Sequence, residues 1–310
     1  MDEAMALAVR GQEELEQFHY REAAQLFSRA YDAIDPDSEE SMAVGGRLVS
    51  ALTKSGEFDR AIKVQKHLLE RHVRALGETH PDTLIAVADL GGVFFAAGNY
   101  QKARDLYEWV LQVRIADLGE NHPDTLRAVS NLASVYAAAG QYKLARMLYE
   151  QVVSSRIQLM GEDHPDVLEA QSNVAFTYAQ LGRLDEAVQL NEQVCEAMVR
   201  VFGESHPNAL NSMNNLASLY AQLKEPQKAL GLYQRELEVR MRVAGDADPN
   251  VLTVINNISV SYYRMGDVAH AVEYCQRGRD LAAKTLGEEH QTTKEFAANL
   301  AMLLEQQARG

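Results

Sequence analysis

The sequence predicts an all-α protein in which antiparallel helix pairs stack into a solenoid. Three observations lead there. An octapeptide returns at a fixed interval of 42 residues, apolar residues recur at helical spacing between its copies, and glycine and proline gather at the junctions. A fixed period within about 20–50 residues is the signature of repeat architectures. A single helix pair cannot bury its apolar face alone, so neighbouring pairs must stack.

The octapeptide has the form Gly-Glu-x-His-Pro-Asp-x-Leu. Its clearest copies span Gly77–Leu84, Gly119–Leu126, Gly161–Leu168 and Gly203–Leu210, and each begins 42 residues after the one before. Gly245–Leu252 is a weaker copy and Gly287–His290 a truncated one. This regularity sets the register of every repeat, whatever the octapeptide itself does.

One period between two octapeptides contains two predicted helices, Thr83–Ala97 and Gln101–Leu118. Apolar side chains of the first helix fall on one face at helical spacing, and no strand-like alternation is sustained. Gly98 and Gly119 follow the two helices, where glycine can adopt the left-handed conformation that ends a helix. Each period is therefore predicted to be two helices joined by tight turns.

Helix-breaking residues are confined to the predicted turns. Eleven of the 19 glycines stand there: Gly56, Gly77, Gly98, Gly119, Gly140, Gly161, Gly182, Gly203, Gly245, Gly266 and Gly287. Five of the seven prolines stand in the connector between repeats: Pro81, Pro123, Pro165, Pro207 and Pro249. One turn departs from the pattern, because Lys224-Glu225-Pro226 replaces the glycine turn. We expect that turn to be stiffer and differently shaped.

Composition excludes several classes of function. The chain has 310 residues, with 30 Lys+Arg against 44 Asp+Glu and a net charge of −14. Nucleic acids and anionic membranes attract basic surfaces, so neither is an expected partner. Cys195 and Cys275 lack metal-site or redox spacing and indicate a reducing compartment. With no visible leader and no apolar run of about 18 residues, the sequence predicts a cytoplasmic protein without membrane insertion.

The octapeptide histidines form a candidate metal site that spacing argues against. They are His80, His122, His164, His206 and His290. A metal needs ligands at about 2 Å, whereas packed helices lie about 8–10 Å apart and each period holds two of them. His before Pro is better interpreted as the start of a helix. No phosphate-loop, dinucleotide, HExxH or GxSxG motif is present, so we expect no metal, no cofactor and no catalytic residue.

The repeats resemble the tetratricopeptide repeat family. The resemblance rests on Leu90-Gly91-x-x-Phe94, Gly98-x-Tyr100, Ala103 and Tyr107, and on the same pattern in the following periods. The ordinary repeat has about 34 residues, and the longer period with its His-Pro-Asp connector is similar to the kinesin light chain type. The resemblance implies a right-handed superhelix of about six to seven repeats, with the first helix of each pair on the concave surface.

The whole chain, residues 1–310, is predicted to be a single solenoid domain. A degenerate repeat covers about 5–36, and a capping helix covers about 292–309. The full repeats lie at about 40–80, 81–122, 123–164, 165–206, 207–248 and 249–290.

Asparagines recur on the first helix of successive repeats: Asn131, Asn173, Asn215 and Asn257, with Asn214 and Asn256 beside the last two. An amide offers two donors and an acceptor, so a row of them could clamp an extended peptide backbone. Kinesin light chain repeats use asparagine here in the cargo-peptide groove, and the resemblance implies the same role. The alternative is that these amides bond to an adjacent helix and fix repeat geometry. The two roles are compatible.

The resemblance also places further residues in the groove: Arg127, Phe176, Gln180, Asn211, Ser218, Gln222, Tyr263 and Arg264, together with Ser50, Lys54, Ser134 and Glu169. The lining is mostly neutral and polar, with Phe176 and Tyr263 as apolar anchors. The expected function is a non-enzymatic scaffold or adaptor that binds a peptide segment of a partner protein. The alternative is a structural module that self-associates into a homo-oligomer, or a regulatory domain of a larger protein.

Overall fold

The computed structural model describes residues 3–17, 19–36, 38–243, 245–247 and 250–309, and fifteen α-helices lie within them, with no strand. The helices are α1 Glu3–Glu16, α2 Tyr20–Ala33, α3 Glu39–Lys54, α4 Phe58–Leu76, α5 Pro81–Ala96, α6 Tyr100–Leu118, α7 Pro123–Ala138, α8 Tyr142–Met160, α9 Pro165–Gln180, α10 Leu184–Phe202, α11 Pro207–Gln222, α12 Pro226–Val243, α13 Asn250–Arg264, α14 Val268–Leu286 and α15 Gln291–Arg309. Pro249 lies outside the described residues.

Prolines start helices and glycines end them at the positions that the sequence predicts. Proline opens α5, α7, α9 and α11 at the first helical position, where its missing N–H costs no hydrogen bond. Gly98 and Gly119 adopt φ of 74° and 86°, the region that glycine enters without steric cost. In the repeat that begins at Pro81, α5 has 16 residues and α6 has 19 residues.

The turn at Lys224 corrects one expectation. Lys224 has a φ of 62° and is the one non-glycine residue with positive φ in the described part of the chain. The amide of Glu225 donates to the carbonyl of Tyr220 at 2.9 Å, just as that of Arg183 donates to Tyr178 at 2.9 Å in the preceding repeat. The predicted change of shape is wrong, because lysine adopts the left-handed conformation in place of glycine.

The chain divides into two compact units, residues 1–148 and 149–310. In the N-terminal unit each helix from α1 to α7 packs against the next, around a core that includes Phe27, Leu48 and Leu52. In the C-terminal unit the same sequential packing runs from α9 to α15, around a core that includes Met213, Ile255 and Ile258. The predicted all-α repeat solenoid is confirmed. Among the described helices none is both long and apolar enough to cross a membrane.

Tyrosine hydroxyls connect successive repeats through a spacing of 28 residues. Tyr136 donates to Glu108 at 3.4 Å in the N-terminal unit, and Tyr178 donates to Glu150 at 3.0 Å in the C-terminal unit. Tyr220 bonds in the same way to Glu192, and Tyr262 accepts from the amide of Gln234 at 3.1 Å. These tyrosines pack by their rings and fix each repeat to the preceding one by their hydroxyls.

Candidate functional site

The octapeptide is a joint between helices. The Nδ1 atoms of His80, His122, His164, His206 and His290 accept the backbone N–H two residues later, at 3.1–3.2 Å. Each of these histidines therefore satisfies one of the N–H groups that a helix start leaves without an intrahelical partner. The Thr125 hydroxyl closes the joint by donating to the Gly119 carbonyl at 2.8 Å. In the described residues no group of three His, Cys, Asp or Glu could hold a metal ion.

The second candidate site is the solvent-facing side of the first helix of each repeat, which we call the groove face. We count repeat positions from the connector proline as position one. Position nine is then Asp89, Asn131, Asn173, Asn215 and Asn257 in successive repeats. Positions five, eight, twelve and sixteen lie on the same side of the helix, because residues three and four apart share a face.

The groove-face asparagines are open to a partner. Asn131, Asn173, Asn214, Asn256 and Asn257 are half-buried, and Asn215 is exposed. Within the described residues none of these six side-chain amides makes a hydrogen bond, and none is sealed from solvent. The alternative in which they bond to an adjacent helix therefore has no contact to support it here.

Asn299 extends this row and was missed from the sequence. It occupies position nine of α15, 42 residues after Asn257, and its side chain is exposed. The sequence predicts only a capping helix in this region, with no part in the groove. The period alone would have identified Asn299, because α15 keeps the register of the other first helices.

A cavity of about 580 Å³ opens on the groove face of the N-terminal unit, between α3, α5 and α7. Gly46 and Gly92 contribute no side chain to its wall, and a Cβ on Gly46 would meet no atom within 4 Å. Lys54, Arg127 and Asn131 line it, together with Asp89. First helices of three successive repeats thus enclose one hollow.

This cavity is lined by charged side chains, whereas the asparagine row is neutral. Asp89 stands where the following repeats have Asn. Burial raises the pKa of its carboxyl, while the nearby charges of Arg127 and His72 oppose that rise. Arg127 pairs with Asp124 at 2.9 Å. Burial, together with the Asp89 charge, raises the pKa of Tyr107 to about 12. The cavity therefore offers a mixed, partly compensated set of charges.

In the C-terminal unit the predicted groove residues fall into two groups. Phe176 and Tyr263 are 48% and 37% exposed, and Glu169, Gln180 and Gln222 are also exposed. The other three are held by the protein itself. Ser218 bonds to the Tyr233 hydroxyl at 3.1 Å, Asn211 accepts from Arg240 at 3.3 Å, and Arg264 donates to the Ala221 carbonyl at 3.2 Å.

In two repeats, position twelve on the groove face lies next to position 27 of the second helix. The Tyr107 hydroxyl lies 3.6 Å from where a Cβ on Gly92 would be, and Tyr233 reaches Ser218. In two repeats of the C-terminal unit a smaller residue at position 27 accompanies a larger residue at position twelve. The two such pairs are Asn191 with Phe176 and Cys275 with Val260.

Asn191 is the unusual member of this set. It is only 3% exposed, and its Nδ2 donates to the Ala187 carbonyl at 3.3 Å. Its Oδ1 has no hydrogen-bond partner among the described residues. The sequence shows the loss of tyrosine at this position, but only the packing shows that a buried acceptor without a partner in the described part of the chain remains there.

Family models match this chain over most of the repeats described above. A family model described as "Tetratricopeptide repeat" matches residues 40–116, 88–158, 124–198 and 166–242. A second model with the same description matches residues 251–292. Together these matches cover most of the chain. A comparison with curated protein sequences gives no match.

Three solved structures are similar. A kinesin light chain-like protein of Podosopora anserina with nearly identical TPR-like repeats is 27% identical, with 68% of this chain and 98% of that chain covered and a TM-score of 0.55. BtubC (BKLC) from P. vanneervenii is 23% identical, with 76% and 94% covered and a TM-score of 0.65. A Rap protein complexed with competence and sporulation factor is 12% identical, with 98% and 86% covered and a TM-score of 0.60.

The joints, the helix pairs and the matched models agree on one assignment. The chain belongs to the tetratricopeptide repeat family, with 42-residue repeats similar to those of kinesin light chain-like proteins.

Proposed function

We propose that this chain is a non-enzymatic, cytoplasmic scaffold that binds an extended segment of a partner protein along its groove face. The observation that carries the proposal is the row of asparagines at position nine. Their amides are within reach of solvent and bond to no described residue. Because no described protein group occupies these solvent-accessible amides, they can exchange bound water for the backbone of an incoming chain.

Amide side chains fit the backbone of an extended segment. Each asparagine can donate to a peptide carbonyl and accept from a peptide N–H. Such bonds hold the backbone of the partner and leave its side chains to be selected by neighbouring residues. In the C-terminal unit the exposed Phe176 and Tyr263 offer apolar contacts for that selection.

The comparisons support the general role. Tetratricopeptide repeat proteins are generally protein-interaction scaffolds, and the structurally similar Rap protein is complexed with competence and sporulation factor. Both cysteines are buried and free of any disulfide, which is consistent with a reducing compartment. These observations favour a binding module, and the identity of its partner is a matter for experiment.

The direct test replaces two neighbouring amides in the C-terminal unit. A pull-down with the wild-type chain, followed by a peptide array, defines a bound segment. Its affinity is then measured by fluorescence anisotropy for the wild type and for Asn173→Ala combined with Asn215→Ala. Each lost hydrogen bond is worth about 0.5–1.5 kcal/mol, so we expect the dissociation constant to rise roughly tenfold. Helicity and melting temperature should remain near the wild-type values.

A matched control removes two exposed amides elsewhere in the same unit. Asn208 lies in a joint and Gln189 lies on the second helix α10, and both are exposed. Asn208→Ala combined with Gln189→Ala should bind the segment as the wild type does. Unchanged affinity in the Asn173/Asn215 variant, or an equal loss in the control, would exclude the groove-face amides as the binding surface.

A second candidate function is self-association through α15. The side chains of Met302 and Leu304 are 52% and 47% exposed there, and exposed apolar side chains on a helix are suited to contact with another chain. If α15 joins two copies, light scattering should give a mass that rises with concentration. Met302→Glu combined with Leu304→Glu should abolish that rise. A monomeric mass at all concentrations would eliminate this candidate.

A further inference from the structure

A second hollow lies on the opposite set of helices in the C-terminal unit. It has a volume of about 720 Å³ and lies between the second helices α10 and α12, with α11 beneath them. Both α10 and α12 pack against α11, which leaves a furrow between them. We call this hollow the outer furrow. Its volume is within the range of about 300–1,000 Å³ that is common for ligand pockets.

The floor of the outer furrow is apolar. Met213 and Leu216 of α11 form it with Val199 of α10 and Leu232 of α12. Met213 and Leu216 are 1% and 6% exposed, so the furrow reaches down to the core. Apolar surface at the bottom of a groove gains free energy when a partner removes it from water.

Gly231 opens this furrow. It lies in the interior of α12, has no positive φ, and a Cβ there would meet nothing within 4 Å. Other repeats place Asp105, Met147, Gln189 and Glu273 at the same position. Glycine is among the least favourable residues inside a helix. Since neither packing nor backbone conformation requires it at residue 231, its effect is the space that it leaves.

Three basic residues line the rim of the furrow, each paired with a carboxylate, and two further carboxylates line it without a cationic partner in the described part of the chain. Arg235 pairs with Glu204, Lys228 with Glu225 at 2.5 Å, and Arg200 with Asp163. The carboxylates of Glu192 and Glu196, one turn apart on α10, have no cationic partner among the described residues, and Glu196 also makes no hydrogen bond there. The rim therefore complements a positive charge, as does the chain as a whole with its net charge of −14.

The walls favour a helical occupant. Backbone groups in the middle of α10 and α12 already bond within their own helices, so an extended strand would find no backbone partners there. A helix satisfies its own backbone groups and presents only side chains. The lining from Glu192 to Arg200 covers eight residue steps, which is about 12 Å or two helical turns at 1.5 Å per residue.

We propose that the outer furrow binds a basic amphipathic helix of a partner protein, with apolar anchors at i, i+3 and i+7 in the furrow and a lysine or arginine beside Glu196. This site is separate from the groove face and does not depend on the function proposed for it. A chain with both surfaces could bind an extended segment on one face and a helix on the other.

The test uses a defined probe, a fluorescein-labelled peptide of leucine and lysine in amphipathic helical order. A second peptide carries glutamate in place of every lysine. Anisotropy is measured in about 0.15 M salt, where long-range charge effects are screened beyond roughly 8 Å. We expect the leucine–lysine peptide to bind the wild type at least tenfold more tightly than its glutamate counterpart.

Variants locate the site. Gly231→Gln introduces the residue that the preceding repeat has at this position, fills the furrow without changing charge, and should weaken binding about tenfold or more. It should melt at or above the wild-type temperature, because glutamine favours helix more than glycine. Glu196→Gln should weaken binding about threefold. Glu238→Gln, at the equivalent position one repeat later, should leave binding unchanged.

Three results would overturn the proposal. One is equal binding by the wild type and Gly231→Gln. Another is a loss of binding in the Asn173/Asn215 variant, which would place the probe on the groove face. The third is a concentration-dependent mass that Gly231→Gln abolishes without any peptide, which would make a second copy of this chain the occupant.

Discussion

Two adjacent repeats of the C-terminal unit carry different residues at repeat positions twelve and 27. In the repeat that begins at Pro207, Tyr233 is 3% exposed and its hydroxyl bonds to Ser218 on the groove face at 3.1 Å. In the repeat that begins at Pro165, Asn191 replaces that tyrosine, and Phe176 is 48% exposed at the position of Ser218. The two repeats therefore present different groups at position twelve. One presents a hydroxyl bonded to a buried tyrosine, and the other presents an exposed aromatic ring while its position 27 is a buried amide.

The residue at position 27 affects the stability of its repeat. A tyrosine at position 27 contributes a large buried side chain, whereas Asn191 contributes an acceptor with no partner in the described residues. Leaving a buried acceptor unsatisfied costs stability. We therefore expect position 27 to contribute less stability in the repeat at Pro165 than in the repeats that have Tyr107, Tyr149 or Tyr233 there.

The largest expected effect on stability comes from replacing Tyr233, and it is compared with the effect of replacing Asn191. Tyr233→Ala should lower the free energy of unfolding by about 3–5 kcal/mol, as for other buried aromatic side chains. Asn191→Ala should cost less than about 1 kcal/mol, because it removes an unsatisfied acceptor together with one helix-internal bond. Denaturant midpoints followed by circular dichroism compare the two. Equal shifts would show that the two residues contribute alike.

A smaller effect is expected where Tyr107 packs against glycine. A Cβ on Gly91 would lie 2.8 Å from the Tyr107 ring, so Gly91→Ala should cost about 1–3 kcal/mol by overpacking. In a Tyr107→Asn background, which copies the arrangement of Ala175 with Asn191, the same change should cost little. Such non-additivity is expected of residues in contact.

Gly92→Ala is the matched control for that cycle. A Cβ there would meet only the Tyr107 hydroxyl, at 3.6 Å, so this change should be neutral or stabilising by about 0.5–1 kcal/mol through helix propensity. If Gly91→Ala is as well tolerated as Gly92→Ala, the close approach of Tyr107 does not constrain this repeat.

The smallest effect is confined to alkaline solution. Burial and the Asp89 charge raise the pKa of Tyr107 to about 12, above the usual value of about 10. A raised pKa in the folded state means that its contribution is fully present below pH 10 and is lost as the pH rises through 12. Tyr107→Phe should therefore flatten the fall in stability between pH 10 and 12. An identical fall in both proteins would contradict this assignment.

The arrangement of helices could be predicted because its signals are local. Gly98, Gly119 and the connector prolines end and start helices within a few residues of themselves, and the observed helix bounds lie within two residues of the predicted ones. Lys224 shows the limit of that logic, because the fold imposes the left-handed turn on a lysine. At this turn, packing of the helices on either side outweighs the preference of lysine for negative φ.

The candidate site could be predicted only in part, because its properties depend on side chains from different helices. The period identified the asparagine row and would also have identified Asn299. It could not show that Ser218, Asn211 and Arg264 bond to the protein itself. Nor could it show the space at Gly231, since that depends on how α10 and α12 pack on α11.

The central claim is that the groove-face asparagines contact the partner segment, and side-chain amide spectra test it most directly. In a ¹⁵N-labelled chain, the side-chain NH₂ resonances of Asn173 and Asn215 are assigned by comparison with their alanine variants. On addition of the array-defined segment, both pairs of resonances should shift and exchange more slowly with water, while those of Asn208 should stay in place. Unchanged Asn173 and Asn215 resonances at saturating segment would contradict the claim.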